Sequence, residues 1–253
     1  MALVTGAAHG LGATITEGLA SGGAAVVLGD LDLGAAEARA AGLRAQGKSA
    51  IALELDVTAQ ASIGDALKAA RRQLGPVDVL VNNAGLKGEA LTSGRRSEQL
   101  ATSDWQRMVD VNLNGVFYCC QAVYGDMASR GRGSIINVAS IYGLVASRIG
   151  PNSPYAATKA GIIGLTRALA VEWAPAGIRV NAIAPTHIEP RSDEDRPSSA
   201  ASAEHEQRIR WRTPLGRRGR QDEIAGPVVF LASDASSLVT GHTLALDGGW
   251  LAW

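Results

Sequence analysis

Short apolar runs alternate with amphipathic stretches along the whole chain. Ala2-Leu-Val-Thr-Gly6 is the first run and stops at glycine, after which Ile15, Leu19 and Ala20 recur at helical spacing. Residues 24–29, 49–55, 76–81, 133–139, 177–184 and 243–246 read as further strands. Between them, helical patterns run over about 34–46, through Ile63, Leu67 and Leu74, from Trp105 to Ala128, from Ser153 to Trp173 and from Asp222 to Ala232. Two polar tracts interrupt the alternation. Residues 86–101 read as an insertion loop over a site. Residues 186–212, charged and proline-bearing, read as a substrate lid, with 198–202 expected to be mobile and Glu204–Trp211 a short helix. No linker, repeat or composition break divides residues 1–253. The pattern predicts one α/β domain: a seven-stranded, doubly wound parallel sheet with helices on both faces and right-handed crossovers.

Charge and cysteine usage narrow the functional classes. The 24 basic and 24 acidic residues leave a formal net charge of zero, which argues against nucleic acid or an anionic membrane surface as partner. No apolar run reaches the length of a transmembrane helix, and the N-terminus lacks a basic region followed by a signal-peptide core. The two cysteines, Cys119 and Cys120, are adjacent and cannot staple distant segments, so a reducing, cytoplasmic setting is expected. His9, His187, His205 and His242 show no paired ligand spacing, so no metal site is expected.

The candidate chemistry lies where the apolar runs end. Gly6, Gly10 and Gly12 form a strand–turn–helix glycine loop, spaced Gly-x-x-x-Gly-x-Gly, where backbone can approach a pyrophosphate at a helix N-terminus. Asp30 ends the second strand about 20 residues further on, the position at which a carboxylate accepts from the ribose hydroxyls of an adenosine and repels a 2′-phosphate. Asp30 thus favours NAD over NADP, and Asp30 or Asp32 also suits the cap of the next helix. Asp56 follows the third strand, and Asn82-Asn83-Ala84-Gly85 makes a tight polar turn after the fourth. Asn112 and Asn114 sit in mid-helix against propensity and are equal candidates on that ground. Ser140 follows the fifth strand, where a hydroxyl can meet a carbonyl oxygen. Tyr155 and Lys159 lie one helical turn apart, and an ammonium beside a phenol favours phenolate.

Taken together and in this order, Thr5-Gly6 to Gly12, Asn82 to Gly85, Asn112, Ser140, Tyr155-x-x-x-Lys159 and Asp247-Gly-Gly249 resemble the short-chain dehydrogenase/reductase family over the whole chain. The resemblance implies a Rossmann arrangement, usually a homotetramer, and hydride exchange between a nicotinamide and a carbinol carbon of a small-molecule substrate. It implies that Tyr155 exchanges the hydroxyl proton, Lys159 lowers its pKa and holds the nicotinamide ribose, Ser140 orients the substrate oxygen and Asn112 holds a water linked to Lys159. It places Gly6, His9, Gly10, Leu11 and Gly12 at the phosphates and Asp30 and Leu31 at the adenosine ribose. Asp56 and Val57 would contact adenine, and Asn83, Ala84 and Gly85 would line the adenosine and ribose side. The family's Pro-Gly and following Thr after the sixth strand are replaced here by Pro185-Thr186-His187-Ile188-Glu189-Pro190, so Pro185 and the backbone of Ile188 are expected at the nicotinamide. His9 stands where NADP-preferring members often carry a basic residue. Trp211 to Gly216, Gly226 to Ser233 and Asp247 to Leu251 are similar to the family's sugar-acid enzymes. Among Arg148, Arg191, Arg196, Arg208, Arg210 and Arg212, at most one is expected to hold a substrate carboxylate. The competing expectations are a 3-oxoacyl-thioester reductase using NADPH and a non-catalytic dinucleotide sensor, which would show a broken catalytic set.

Overall fold

Seven strands, all pairing parallel, form one sheet in the order β3-β2-β1-β4-β5-β6-β7. They are β1 (Ala2–Thr5), β2 (Val26–Asp30), β3 (Ala50–Glu54), β4 (Val79–Asn82), β5 (Gly133–Val138), β6 (Ile178–Pro185) and β7 (Thr243–Leu246). The helices are α1 (Gly10–Ser21), α2 (Leu33–Ala45), α3 (Gln60–Leu74), α4 (Thr102–Val109), α5 (Gly115–Ser129), α6 (Ser153–Trp173), α7 (Ala201–Arg212) and α8 (Asp222–Ala232). This computed structural model describes residues 1–87, 95–147, 151–190 and 201–253, with side chains from 204 in the last segment.

The two-residue period of the strands divides the core into two layers. Leu3, Val27, Leu80, Ile135 and Val180 face α3, α5 and α6, packing with Ile63, Val123, Met127, Ile162 and Leu169. Val4, Leu28, Val81, Ile136 and Ile183 face the other way, onto Ile15 and Leu19 of α1, Leu43 of α2 and Ile224, Val228 and Leu231 of α8. Strands buried on both faces explain the apolar runs in the sequence. Cys119 and Cys120 belong to the first layer, and burial pushes both thiols up, away from the reactive thiolate.

Strand order reverses between β1 and β4, so their carboxyl ends diverge into a crevice, where open α/β sheets bind ligands. The elements match the sequence pattern with two revisions. The helix expected from Trp105 to Ala128 begins at Thr102 and is broken at Asp110–Asn114 by a π turn, which holds one residue more per turn than an α-helix. The short helix expected at Glu204–Trp211 extends to Ala201–Arg212.

Candidate active site

The cradle at the switch point is built from backbone. Gly6 and Gly10 hold positive φ values of 63° and 50°, open to few residues besides glycine. A Cβ on Gly12 would stand 1.9 Å from the Gly6 carbonyl oxygen, so the helix meets the strand only because that side chain is absent. Helix α1 has no side-chain cap at His9 and no acidic residue in its first turn, leaving its positive end unopposed. The Thr5 hydroxyl accepts from the amides of Asn83 and Ala84, both at 3.1 Å. The Asn83 side chain donates to the carbonyls of Thr5 at 3.1 Å and Gly6 at 2.8 Å. The 82–85 turn thereby fixes the glycine loop, with Thr5, the first residue of that motif, joining the two.

Asp30 ends β2 with its carboxylate accepting from the amides of Ala8 at 2.8 Å and Asp32 at 3.0 Å. Asp32 takes the cap of α2, accepting from Ala35, and its other oxygen lies 3.1 Å from His9 Nε2. His9 and Leu31 are exposed beside this rim, and Leu11 is half-buried. Asp56 accepts from the amide and hydroxyl of Thr58 at 2.8 and 2.7 Å, which shapes the turn into α3. The Val57 side chain is turned into the core, against Gly115, so only its backbone reaches the crevice rim. These groups fit a dinucleotide: a glycine cradle at a helix N-terminus, then a carboxylate at the end of the adjacent strand.

The chemical end draws on β5, α6 and the π turn. Ser140 opens a short 3-10 turn (Ile141–Gly143), and its Oγ accepts from the Tyr142 amide at 3.2 Å. A Cβ on Gly143 would meet the backbone carbonyl of Lys159 at 2.7 Å, so the turn lies directly against α6. That contact sets the Ser140 hydroxyl beside the Tyr155 phenol, where it favours the ionised form. Lys159 is buried, with Nζ donating to the Val138 carbonyl at 2.6 Å and lying 5.5 Å from the centre of the Tyr155 ring. The expected electrostatics are revised here. Burial pushes the Tyr155 phenol up, outweighing the influence of the Ser140 hydroxyl, and the Tyr142 phenol adds to the rise. Burial also brings the Lys159 ammonium down to about 8. Desolvation penalises both charged forms, and the ammonium is anchored to a carbonyl above the ring face.

The π turn separates the two asparagines that sequence left equal. Asn112 is fully buried, accepts from the Leu86 amide at 2.7 Å and donates to its carbonyl at 3.0 Å. Its amide also reaches Met108 Sδ at 3.1 Å. Asn114 instead donates to Asp110 on its own helix. Asn112 therefore clamps the segment after Gly85, whose Cα faces the Asn112 Oδ1 closely enough that a Cβ would sit 3.3 Å away.

Beyond β6, Pro185 closes the strand, and an isolated bridge between Ile188 and Gly219 engages the His187 carbonyl and the Glu189 amide. His187, unremarked by sequence except as an unpaired histidine, is central here. Its Nε2 lies 2.9 Å from the Tyr142 hydroxyl, and its ring packs edge-on against His205 of α7 and beside Trp250. Burial brings its imidazole down to about 4, and Arg218 and His205 add to the fall. Of the candidate arginines, Arg208 pairs with Glu204, Arg210 pairs with Glu206, and Arg212 lies over the Trp250 ring. Arg148, Arg191 and Arg196, and 198–200 of the tract expected to be mobile, lie outside the described residues. Among the described residues, no group of three His, Cys, Asp or Glu is placed to hold a metal ion, and no helix is long and apolar enough to cross a membrane.

The doubly wound sheet and the glycine cradle at its switch point define a Rossmann-type dinucleotide fold. Comparison with known proteins specifies it further. The family model described as enoyl-(acyl carrier protein) reductase matches residues 6–251. Galactitol 2-dehydrogenase of Rhizobium johnstonii is 42% identical over 100% of this chain and 95% of its own length. Gluconate 5-dehydrogenase of Gluconobacter oxydans is 38% identical over 98% of this chain and 93% of its own. A crystal structure of a gluconate 5-dehydrogenase from Burkholderia cenocepacia, in complex with NADP and tartrate, superposes with a TM-score of 0.88 at 37% identity, covering 100% of this chain and 95% of that one. The chain belongs to the short-chain dehydrogenase/reductase family and is an oxidoreductase acting on CH–OH groups.

Proposed function

We propose that the protein is an NAD-dependent oxidoreductase interconverting a secondary alcohol and a ketone, with a polyol or sugar acid as substrate. The observation that carries this reading is the Ser140 hydroxyl set beside the Tyr155 phenol with Lys159 buried one turn along, at the carboxyl edge of the sheet. When bound, the nicotinamide supplies the hydride acceptor for the carbinol carbon. In oxidation Tyr155 takes the hydroxyl proton as phenolate, in reduction the phenol gives it back to the carbonyl oxygen, and Ser140 orients that oxygen. Lys159 sets a positive charge beneath the phenol and reaches the cofactor ribose, while Asn112 holds the Leu86 backbone in place. Gly6, His9, Gly10, Leu11 and Gly12 receive the phosphates. Asp30 receives the adenosine ribose, with Leu31, Asp56, the Val57 backbone, Asn83, Ala84 and Gly85 along the rest of the dinucleotide and Pro185 and Ile188 at the nicotinamide. The Asp30 carboxylate favours a 2′-hydroxyl over a 2′-phosphate, which supports NAD.

Residues 186–212 act as the substrate lid of a single domain spanning 1–253. The exposed apolar side chains of Phe117, Tyr124 and Val171 on α5 and α6, and of Phe230 and Leu238 at and beyond α8, suit association into a homotetramer in the cytoplasm. The second reading, a 3-oxoacyl-thioester reductase using NADPH, draws on the description of the matching family model, on the neighbour bound to NADP and on His9 beside the ribose rim. Following the absorbance of reduced cofactor with NAD or NADP against polyols, sugar acids, simple secondary alcohols and a 3-oxoacyl thioester separates the two. Tyr155→Phe is expected to lower turnover by at least about a thousandfold while NAD affinity stays within about twofold; retained turnover would overturn the acid/base role.

A further inference from the structure

We propose that Tyr142 and His187 form an uncharged hydrogen-bonding pair that reads a substrate hydroxyl beyond the reacting carbinol, so that neutral polyols are accepted in preference to aldonates. The inference rests on the dehydrogenase reading above and narrows its substrate class.

The pair stands at the reaction centre. Tyr142 follows Ser140 by two residues, on the turn that Gly143 presses against α6. Its phenol is near enough to the Tyr155 phenol to raise it by repulsion. His187 reaches the same point from the carboxyl end of β6, with Nε2 2.9 Å from the Tyr142 hydroxyl. Trp250 and His205 flank the imidazole, and the Ile209–Ile141–Trp250 cluster holds α7 over it.

The chemistry of the pair suits a hydroxyl. A neutral imidazole and a phenol can exchange donor and acceptor roles, because the Nδ1–H tautomer accepts the phenol O–H at Nε2 whereas the Nε2–H tautomer donates to the phenol oxygen and turns its O–H outward. A hydroxyl both donates and accepts, so it is satisfied by either arrangement. A carboxylate only accepts and is best met by a cation. His187 is held neutral by burial and by Arg218, with its pKa near 4. Arg218 is itself engaged by Glu206 at 2.6 Å, and Glu206 also takes Arg210. Among the described residues, Arg212 is the remaining cation of α7, and its guanidinium lies over Trp250.

The test compares wild type, Tyr142→Phe, His187→Phe and His187→Asn on three probes: a panel of hexitols and pentitols, gluconate, and cyclohexanol, which carries no second hydroxyl. Wild type should favour the best polyol over gluconate in kcat/KM by about tenfold or more. Tyr142→Phe and His187→Phe should raise KM for that polyol by about tenfold while KM for cyclohexanol moves by less than about twofold, with partial recovery in His187→Asn. Equal losses on polyol and cyclohexanol would reduce the pair to packing and overturn the proposal. A preference for gluconate that Arg212→Ala removes would overturn it in favour of carboxylate recognition. Failure to turn over any alcohol with either cofactor would sink the dehydrogenase reading and this one with it, whereas turnover without the KM split sinks this one alone.

Discussion

The two ends of the cleft are built on opposite principles. The dinucleotide end is a backbone surface: two glycines at positive φ, a third that lets strand and helix touch, and an uncapped helix terminus. The chemical end is a set of buried polar side chains from β5, α6, the π turn and the segment after β6, each held by a specific partner. The glycine cradle itself carries fixed partial charges and has nothing to titrate, the ionisable Asp30, Asp32 and His9 standing on its rim. The side-chain site concentrates groups whose ionisation is shifted by burial, and perturbed groups of this kind mark functional centres.

The sharpest way to test that division is to add one methyl group at each end. Gly12→Ala drives a Cβ to within 1.9 Å of the Gly6 carbonyl and should abolish saturable NAD binding, seen as loss of quenching or energy transfer in a fluorescence titration. Gly143→Ala drives a Cβ to within 2.7 Å of the Lys159 carbonyl and should lower kcat by a hundredfold or more while NAD still binds. If both substitutions damage binding and turnover alike, the two ends are one mechanical unit and the division fails.

Next in size is the stability lost by burying Lys159. A lysine lowered from 10.5 to about 8 destabilises the fold fully below pH 8, and the penalty fades as pH rises from 8 to 10.5, where the unfolded chain binds more protons than the folded one. Lys159→Met should therefore be inactive yet more stable than wild type at pH 7. The gain is about 3 kcal/mol from the charge, offset by about 1 kcal/mol for the lost bond to Val138. Thermal melts should show the gap in Tm closing toward pH 10.5; a variant less stable than wild type at pH 7 would contradict this. Asp30→Ala should erode the ratio of NAD to NADP in kcat/KM by about tenfold; an unchanged ratio would move selectivity elsewhere on the rim. A shift of similar size, read at acid pH, concerns His187, lowered from 6.5 to about 4. The unfolded chain binds the extra proton between those values, so stability falls as pH drops through that window. His187→Gln should flatten that part of the acid limb of Tm against pH.

Legibility follows the same division. The glycine spacing, the acid about 20 residues on and the alternation of apolar runs are local signals, and they led to the sheet, the cradle and the cap at Asp32. The chemical end depends on long-range placement. Asn112 and Asn114 share propensity and neighbourhood, and only the π turn turns one of them toward Leu86. The Tyr155–Lys159 spacing is visible, but the direction of the Tyr155 shift is not, because burial is a property of the folded whole. His187 meets Tyr142 from a strand 45 residues away, a pairing that no periodicity announces.

The π turn at Asp110–Asn114 also has an arithmetic consequence. A helix with one surplus residue can be healed by deletion. Removing Val111 would let α4 and α5 fuse into an unbroken α-helix whose two halves keep nearly their present phase, because the five residues of the π turn cover about the rotation of four α-helical residues. The backbone would become more regular, while the spacing between Met108 and Asn112, and with it the clamp on Leu86, would be lost. Read in reverse, a single inserted codon in a plain amphipathic helix would be enough to turn a polar side chain out of an ordinary helical face and into a reaction centre.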